Sequence, residues 1–141
     1  MPVADPKRRV EPPGGAPPPS EAGFPNGDVV ALVPLAEAVC RSYYEHYADE
    51  DSRYGPAGRA WCQHDNQYLL AWAAHEAVRH DGTLDTNIDW LCRVLAARAF
   101  PLERLRHDLE LAAEVVSPLP AGDEVAAELR RAAERVATHA A

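Results

Sequence analysis

The sequence predicts an all-α protein, a single bundle of about five helices preceded by a disordered, proline-rich N-terminal arm. Three observations predict this fold class. From Val29 onward, apolar residues recur every three or four positions, which is the period of one helix face. Proline and glycine divide this pattern into segments of helical length. The strict alternation of apolar and polar residues that is typical of strands is scarce in the same region.

Residues 1–27 form the expected arm, and residues 28–141 form the expected helical-bundle domain. Eight of the 13 prolines lie in the arm, where Pro17, Pro18 and Pro19 are consecutive. Such a segment has too few apolar side chains to offset the entropy lost on ordering it. We expect a linker or a polyproline-like arm, and a proline-rich ligand for a partner is the functional alternative.

The first two helices are marked by prolines in their first turns, where a missing N–H does no harm. We expect the first helix to run from residues 32–34 to Ala48. The second helix should run from Pro56 to Asp81, with Gly82 as a left-handed C-cap. The inner face of the first helix is expected to carry Leu32, Leu35, Val39, Tyr43 and Tyr47.

The third and fourth helices are separated by a proline break. The third helix is expected to open at Thr86, where Asp89 approximates a capping box. Phe100-Pro101 is expected to end the third helix, and the fourth helix is expected to run from Pro101 to Val116. The expected inner faces are Ile88, Leu91, Cys92, Leu95 and Ala99 in the third helix, and Leu102, Leu105, Leu109, Ala112 and Val116 in the fourth.

The last helix, from Asp123 to about His139, is rich in alanine and has a narrow apolar seam. Such a seam can close a bundle, and it can also pair with a second copy of the chain. We therefore expect the 123–140 helix to be the surface for self-association, if a dimer forms. The seam consists of Val125, Leu129, Ala132, Val136 and Ala140.

Length, charge and cysteine content limit the class of protein. A chain of 141 residues, 47% of them hydrophobic, suits one globular domain. The net charge of −8 argues against nucleic-acid partners and against anionic membranes. No apolar run approaches the ~20 residues of a membrane span, and no signal peptide is apparent. Three cysteines without a CxxC pair are typical of a reducing compartment, so we expect a cytoplasmic protein.

The common catalytic and metal-binding motifs are missing from the sequence. His75 and His80 are one residue too far apart for HExxH, and about 140° separates them on a helix. The Glu-x-x-His pairs of di-iron bundles do not occur, nor do a phosphate loop or a nucleophile elbow. The sequence therefore gives no positive support for an enzyme or for a metal site.

An aromatic and histidine stripe on the second helix is the most informative feature. Aromatic walls with few polar groups are typical of small-molecule sites. Large residues with polar tips also border ordinary cores, and exposed aromatic residues anchor protein partners. All three interpretations stay open. The stripe consists of Trp61, His64, Asp65, Tyr68, Trp72 and His75.

The two histidines of the stripe cannot hold one metal ion together. Three helical turns place His64 and His75 about 16 Å apart. Each could act with residues of another helix, and Tyr43 and His46 of the first helix are the candidates. The candidate ligand-binding residues are therefore the stripe, Tyr43 and His46, and a flat tetrapyrrole or flavin would suit the aromatic wall.

Three functions follow from these patterns, and the sequence does not specify a cofactor. The first is a non-enzymatic regulatory or protein-interaction module, with a homodimer as one option, as in many bacterial regulators. The alternative is a sensor domain that binds a small molecule or a cofactor of the haem, cobalamin or flavin type on the stripe. A third is a hydrolase or transferase that brings His64, His46 and an acid into one pocket.

Overall fold

Five α-helices follow a small antiparallel hairpin in the computed structural model, which describes residues 10–140. This confirms the predicted all-α bundle. None of the helices within residues 10–140 is both long and apolar enough to cross a membrane. The elements are β1 (Glu21–Gly23), β2 (Val29–Ala31), α1 (Leu32–His46), α2 (Glu50–Arg79), α3 (Thr83–Ala97), α4 (Leu102–Val116) and α5 (Gly122–Ala140).

The N-terminal region differs from the expected arm. Residues 1–9 lie outside the described residues, so that part of the prediction is not tested. Within residues 10–27, Glu21 pairs with Ala31 in the hairpin. The Phe24 side chain is buried, with only 3% of its surface exposed. One large apolar side chain and the hairpin hydrogen bonds thus anchor a segment whose average composition is polar. Phe24 and the hairpin thus pack against the helical core.

Helix α2 is longer than predicted and contains a kink. It begins at Glu50, and Gly55 (φ 66°, ψ −162°) interrupts it just before Pro56, where the sequence predicted the start. A positive φ is readily adopted only by glycine. At the other end His80, not Gly82, is the left-handed C-cap, and Gly82 precedes α3.

Helix α3 starts at Thr83, one turn before the predicted Thr86. Asp89 does not complete a capping box, because its carboxylate pairs with Arg135 of α5 at 2.7 Å. This pair joins α3 to α5 on the outside of the bundle. Helix α4 begins at Leu102, directly after the predicted proline break.

The apolar seam of α5 is buried inside the chain's own core, except for the exposed Ala140 at its end. Helix α5 packs against α2, α3 and α4. Leu129 and Val136 have no exposed surface, and neither has Ala132. The expected self-association through the 123–140 helix therefore loses its basis, because these side chains already fill the bundle interior and are not available to a second copy.

Candidate functional site

A cavity of about 620 Å³ lies between α2, α3 and α4, and α1 and the N-terminal segment also contribute to its wall. Its volume is in the range of small-molecule sites, about 300–1,000 Å³. All three tryptophans of the sequence line it. The aromatic lining residues are Tyr43, Tyr44, Tyr54, Trp61, Tyr68, Trp72, Trp90 and Phe100.

One wall of the cavity is a continuous row of rings along α2. The ring centroids of Trp61 and His64 are 5.1 Å apart, those of His64 and Tyr68 are 5.1 Å apart, and those of Tyr68 and Trp72 are 5.9 Å apart. Spacings of three and four residues bring side chains together on a helix surface, which explains the row. With Asp65, these residues are the part of the predicted stripe that the structure places in the cavity.

Tyr43 also lines the cavity, but two other predicted residues do not. His75 lies beyond the end of the cavity, where its Nε2 contacts the Asp81 carboxylate at 2.8 Å on the surface. His46 turns toward α4 and stacks edge-on against His107 at 4.8 Å. Helical periodicity carries no information about the axial length over which neighbouring helices leave a space.

An ion-pair network closes the cavity next to the α2 kink. Glu50 is 2% exposed and accepts a short hydrogen bond from the Tyr43 hydroxyl. The Arg104 guanidinium donates to Glu50 at 3.0 Å and to Asp49 at 3.0 Å. Burial and the Glu50 carboxylate raise the pKa of Tyr43 above its usual range. Glu50 is thus a buried charge with a positive partner, as the interior requires.

A second polar group, Asn66 and Asp108, joins α2 to α4. The Asn66 Nδ2 donates to Asp108 at 3.1 Å and to the Cys62 carbonyl at 3.0 Å. Asp108 is 6% exposed, and burial, reinforced by the Asp65 and Glu50 carboxylates and opposed by the Asn66 hydrogen bond, raises its pKa to about 7.

Two buried polar atoms at the cavity have no partner within residues 10–140. They are the Asn66 Oδ1 and the Tyr54 hydroxyl. Such atoms are rare in folded proteins, since each costs about 1–3 kcal/mol. Both belong to residues that line the cavity. Such atoms are ordinarily satisfied by a buried water or by a bound molecule.

His64 and Asp65 place an imidazole and a carboxylate 3.0 Å apart at the cavity wall. Burial raises the pKa of Asp65, and the contact with His64 opposes that shift. His46, which the hydrolase or transferase alternative required in the same pocket, is elsewhere. No cluster of three or more metal-ligating residues exists within residues 10–140.

Sequence reasoning found His64 and Asp65 but missed Asn66 and Asp108. Asp108 had a visible signal, because it lies three residues after Leu105 and four before Ala112, on the inner face of α4. A carboxylate within an apolar stripe is unusual. Asn66 carried no such signal, since an amide on a polar helix surface looks ordinary.

The comparisons with known proteins add no assignment to this geometry. No family model matches the chain, and no curated protein or solved structure shows significant similarity to it.

Proposed function

We propose that this protein is a small-molecule-binding domain, with its ligand held against the aromatic row of α2. The single observation that carries the proposal is the cavity of about 620 Å³ with all three tryptophans in its wall. Protein interiors are close-packed, and voids larger than a water molecule are few. A large space lined by aromatic rings and a few polar groups is typical of a ligand site.

This proposal favours the sensor alternative over the interaction module. The main support for a dimeric module was the α5 seam, which is buried within the bundle. A regulatory role fits a ligand-binding bundle, and the three free cysteines fit a cytoplasmic location. The interaction-module hypothesis stays a prediction.

The three cofactors considered from the sequence fit the cavity differently. His64 is placed in the wall, where an imidazole could reach the metal of a haem or a cobalamin. The carboxylates of haem and the phosphate of a flavin nucleotide would, however, be brought close to Asp65 and Asp108, at a cost in like-charge repulsion. A flat, largely apolar ligand without an anionic group suits the site better.

Tryptophan fluorescence provides a direct test, because every indole of the protein is at the cavity. We expect a flat aromatic ligand to quench the emission saturably, and the neutral tricyclic compound acridone is the first probe. The variant Val94→Phe fills the cavity from α3 and should weaken binding at least about tenfold. Val78→Phe is the matched control, since Val78 is 45% exposed and outside the cavity.

Haemin, flavin mononucleotide and cobalamin belong in the same titration. Absorbance of the purified protein would show whether one of them is already bound. If no probe quenches the tryptophans, or if Val94→Phe and Val78→Phe bind equally well, the proposed function is wrong.

A further inference from the structure

We infer that the ligand of this cavity is a flat aromatic cation whose N–H groups donate to the Asn66–Asp108 group. This inference rests on the proposed function and specifies the class of ligand. It follows from three properties of the cavity: the Asn66–Asp108 group has unused acceptors, Asp108 has no basic partner, and the walls are aromatic.

The Asn66–Asp108 group has acceptors left over and its donors used up. The two shortest hydrogen bonds of the Asn66 Nδ2 go to the Cys62 carbonyl and Asp108, and its longer contacts go to the Cys40 and Cys62 sulfurs. All four partners are acceptors, and this fixes the orientation of the amide. The Asn66 Oδ1 then has no donor within residues 10–140. The pKa of Asp108 is about 7, so a cation beside it favours the carboxylate form at neutral pH, and that form accepts up to about four hydrogen bonds. A ligand that enters here therefore gains most by bringing N–H donors.

Asp108 is the cavity carboxyl that lacks a basic side chain in contact with it among residues 10–140. Glu50 is paired with Arg104, and Asp65 is in contact with His64. Within residues 10–140, Asp108 has no salt bridge to a basic side chain. An isolated buried carboxylate is costly, and a cation beside it removes that cost.

The groups that face Asp108 from the other helices make an anionic ligand unfavourable. Glu50, Asp65 and the Cys62 thiol face it from α2, and the Tyr43 hydroxyl faces it from α1. Arg98 also lines the cavity, as an exposed residue that directly follows α3. Arg104 is already paired with Glu50 and Arg98 is exposed, so the cationic end of the ligand belongs beside Asp108, where the described lining residues supply no cation.

The aromatic wall provides the second part of the recognition. A cation within about 6 Å of a tryptophan or tyrosine ring is attracted by the negative electrostatic potential of the ring face. The row from Trp61 to Trp72 offers such faces beside the carboxylates. A delocalised cation on a planar ring system uses both the stacking surface and the charge.

Three tricyclic probes of similar shape test the inference on the wild-type protein. They are the proflavine cation, which carries amino groups, neutral acridone, and the anion anthracene carboxylate. We expect proflavine to bind at least about tenfold more tightly than acridone, and the anion to bind most weakly. Fluorescence titration at neutral pH measures all three.

The variant Asp108→Asn tests the assigned residue. It keeps the shape of the side chain and an acceptor for Asn66, and should remove most of the preference for proflavine over acridone. Asp28→Asn, in the exposed hairpin loop, is the matched control and should keep that preference. Circular dichroism checks that both variants fold. If Asp108→Asn does not fold, the three titrations of the wild-type protein still test the inference.

The outcomes separate the inference from the proposed function. If acridone or the anion binds as tightly as proflavine, or if folded Asp108→Asn keeps the full preference, the inference is overturned and a ligand-binding domain remains. If none of the three probes binds the wild type, both are overturned.

Discussion

The indole Nε1 of Trp61 donates a hydrogen bond of 2.6 Å to the backbone carbonyl of Glu11. Six residues further along α2, the Gln67 amide donates to the Pro19 carbonyl at 3.0 Å. These two bonds hold the segment of residues 10–19, here called the strap, along α2. Val10 and Gly14 of the strap line the cavity. The same tryptophan thus forms part of the wall and holds the covering segment.

Trp61→Phe should loosen the strap and leave an aromatic ring in the wall. The variant removes a hydrogen bond worth about 1 kcal/mol. We expect faster hydrogen exchange at the strap amides and faster ligand dissociation, with a smaller effect on the association rate. Hydrogen–deuterium exchange with mass spectrometry and stopped-flow fluorescence measure the two effects.

The matched control for the strap is Trp90→Phe. Trp90 is another cavity tryptophan, 51% exposed and on α3. This variant should leave exchange in the strap unchanged. Equal exchange in Trp61→Phe and the wild type would show that the hydrogen bond to Glu11 does not hold the segment.

Asp108 should make the protein less stable as the pH rises through neutrality. Its carboxyl has a pKa of about 7 in the folded chain against 3.8 in the unfolded chain, so the folded state holds its proton longer. The favourable contribution is complete below the unfolded value and is lost as the pH rises through about 7. Asp108→Asn lacks this titration. The free energy of unfolding of Asp108→Asn minus that of the wild type should therefore increase by about 1–3 kcal/mol from about pH 5 to about pH 8.

Urea denaturation of the wild type and Asp108→Asn at both pH values measures this difference directly. Titrations of other groups cancel in the comparison, because they are common to the two proteins. A constant difference in the free energy of unfolding at the two pH values would contradict a protonated, buried Asp108.

Arg104→Gln should destabilise the fold by about 3–5 kcal/mol, because it leaves the buried Glu50 charge without its partner. Arg106→Gln, two residues along the same helix, is the matched control. Arg106 pairs with Glu103 and Glu110, whose side chains are 64% and 47% exposed. Exposed pairs contribute about 0–1 kcal/mol. Chemical denaturation compares the two variants, and similar losses would argue against a special role for the Glu50–Arg104 pair.

The Cys62 thiol should react slowly with iodoacetamide in the folded protein. Contact with the Cys40 thiol, together with burial, holds the pKa of Cys62 above its usual range, so little thiolate is present. Since Cys62 lines the cavity, a bound ligand should slow the reaction further. Mass spectrometry of timed samples measures the rate at each cysteine, with the urea-denatured chain as the reference. Rapid labelling of Cys62 in the folded, ligand-bound protein would contradict its place in the cavity wall.

The sequence by itself determined the helices and the aromatic row on α2. Both depend on residues three or four positions apart, and this local relationship is set by helix geometry alone. Trp61, His64, Tyr68 and Trp72 stack on one another whatever lies opposite them. The prolines and glycines that begin or end helices are equally local signals.

Only the tertiary structure determined which element each helix face packs against. Asn66 and Asp108 are 42 residues apart in sequence and share a hydrogen bond, and Phe24 joins the core from a segment of polar composition. The α5 seam could have faced a second copy, yet it faces α2, α3 and α4. Periodicity specifies the apolar side of a helix but carries no information about its neighbour. The space between α2, α3 and α4, and with it the cavity, therefore arises only when the helices pack.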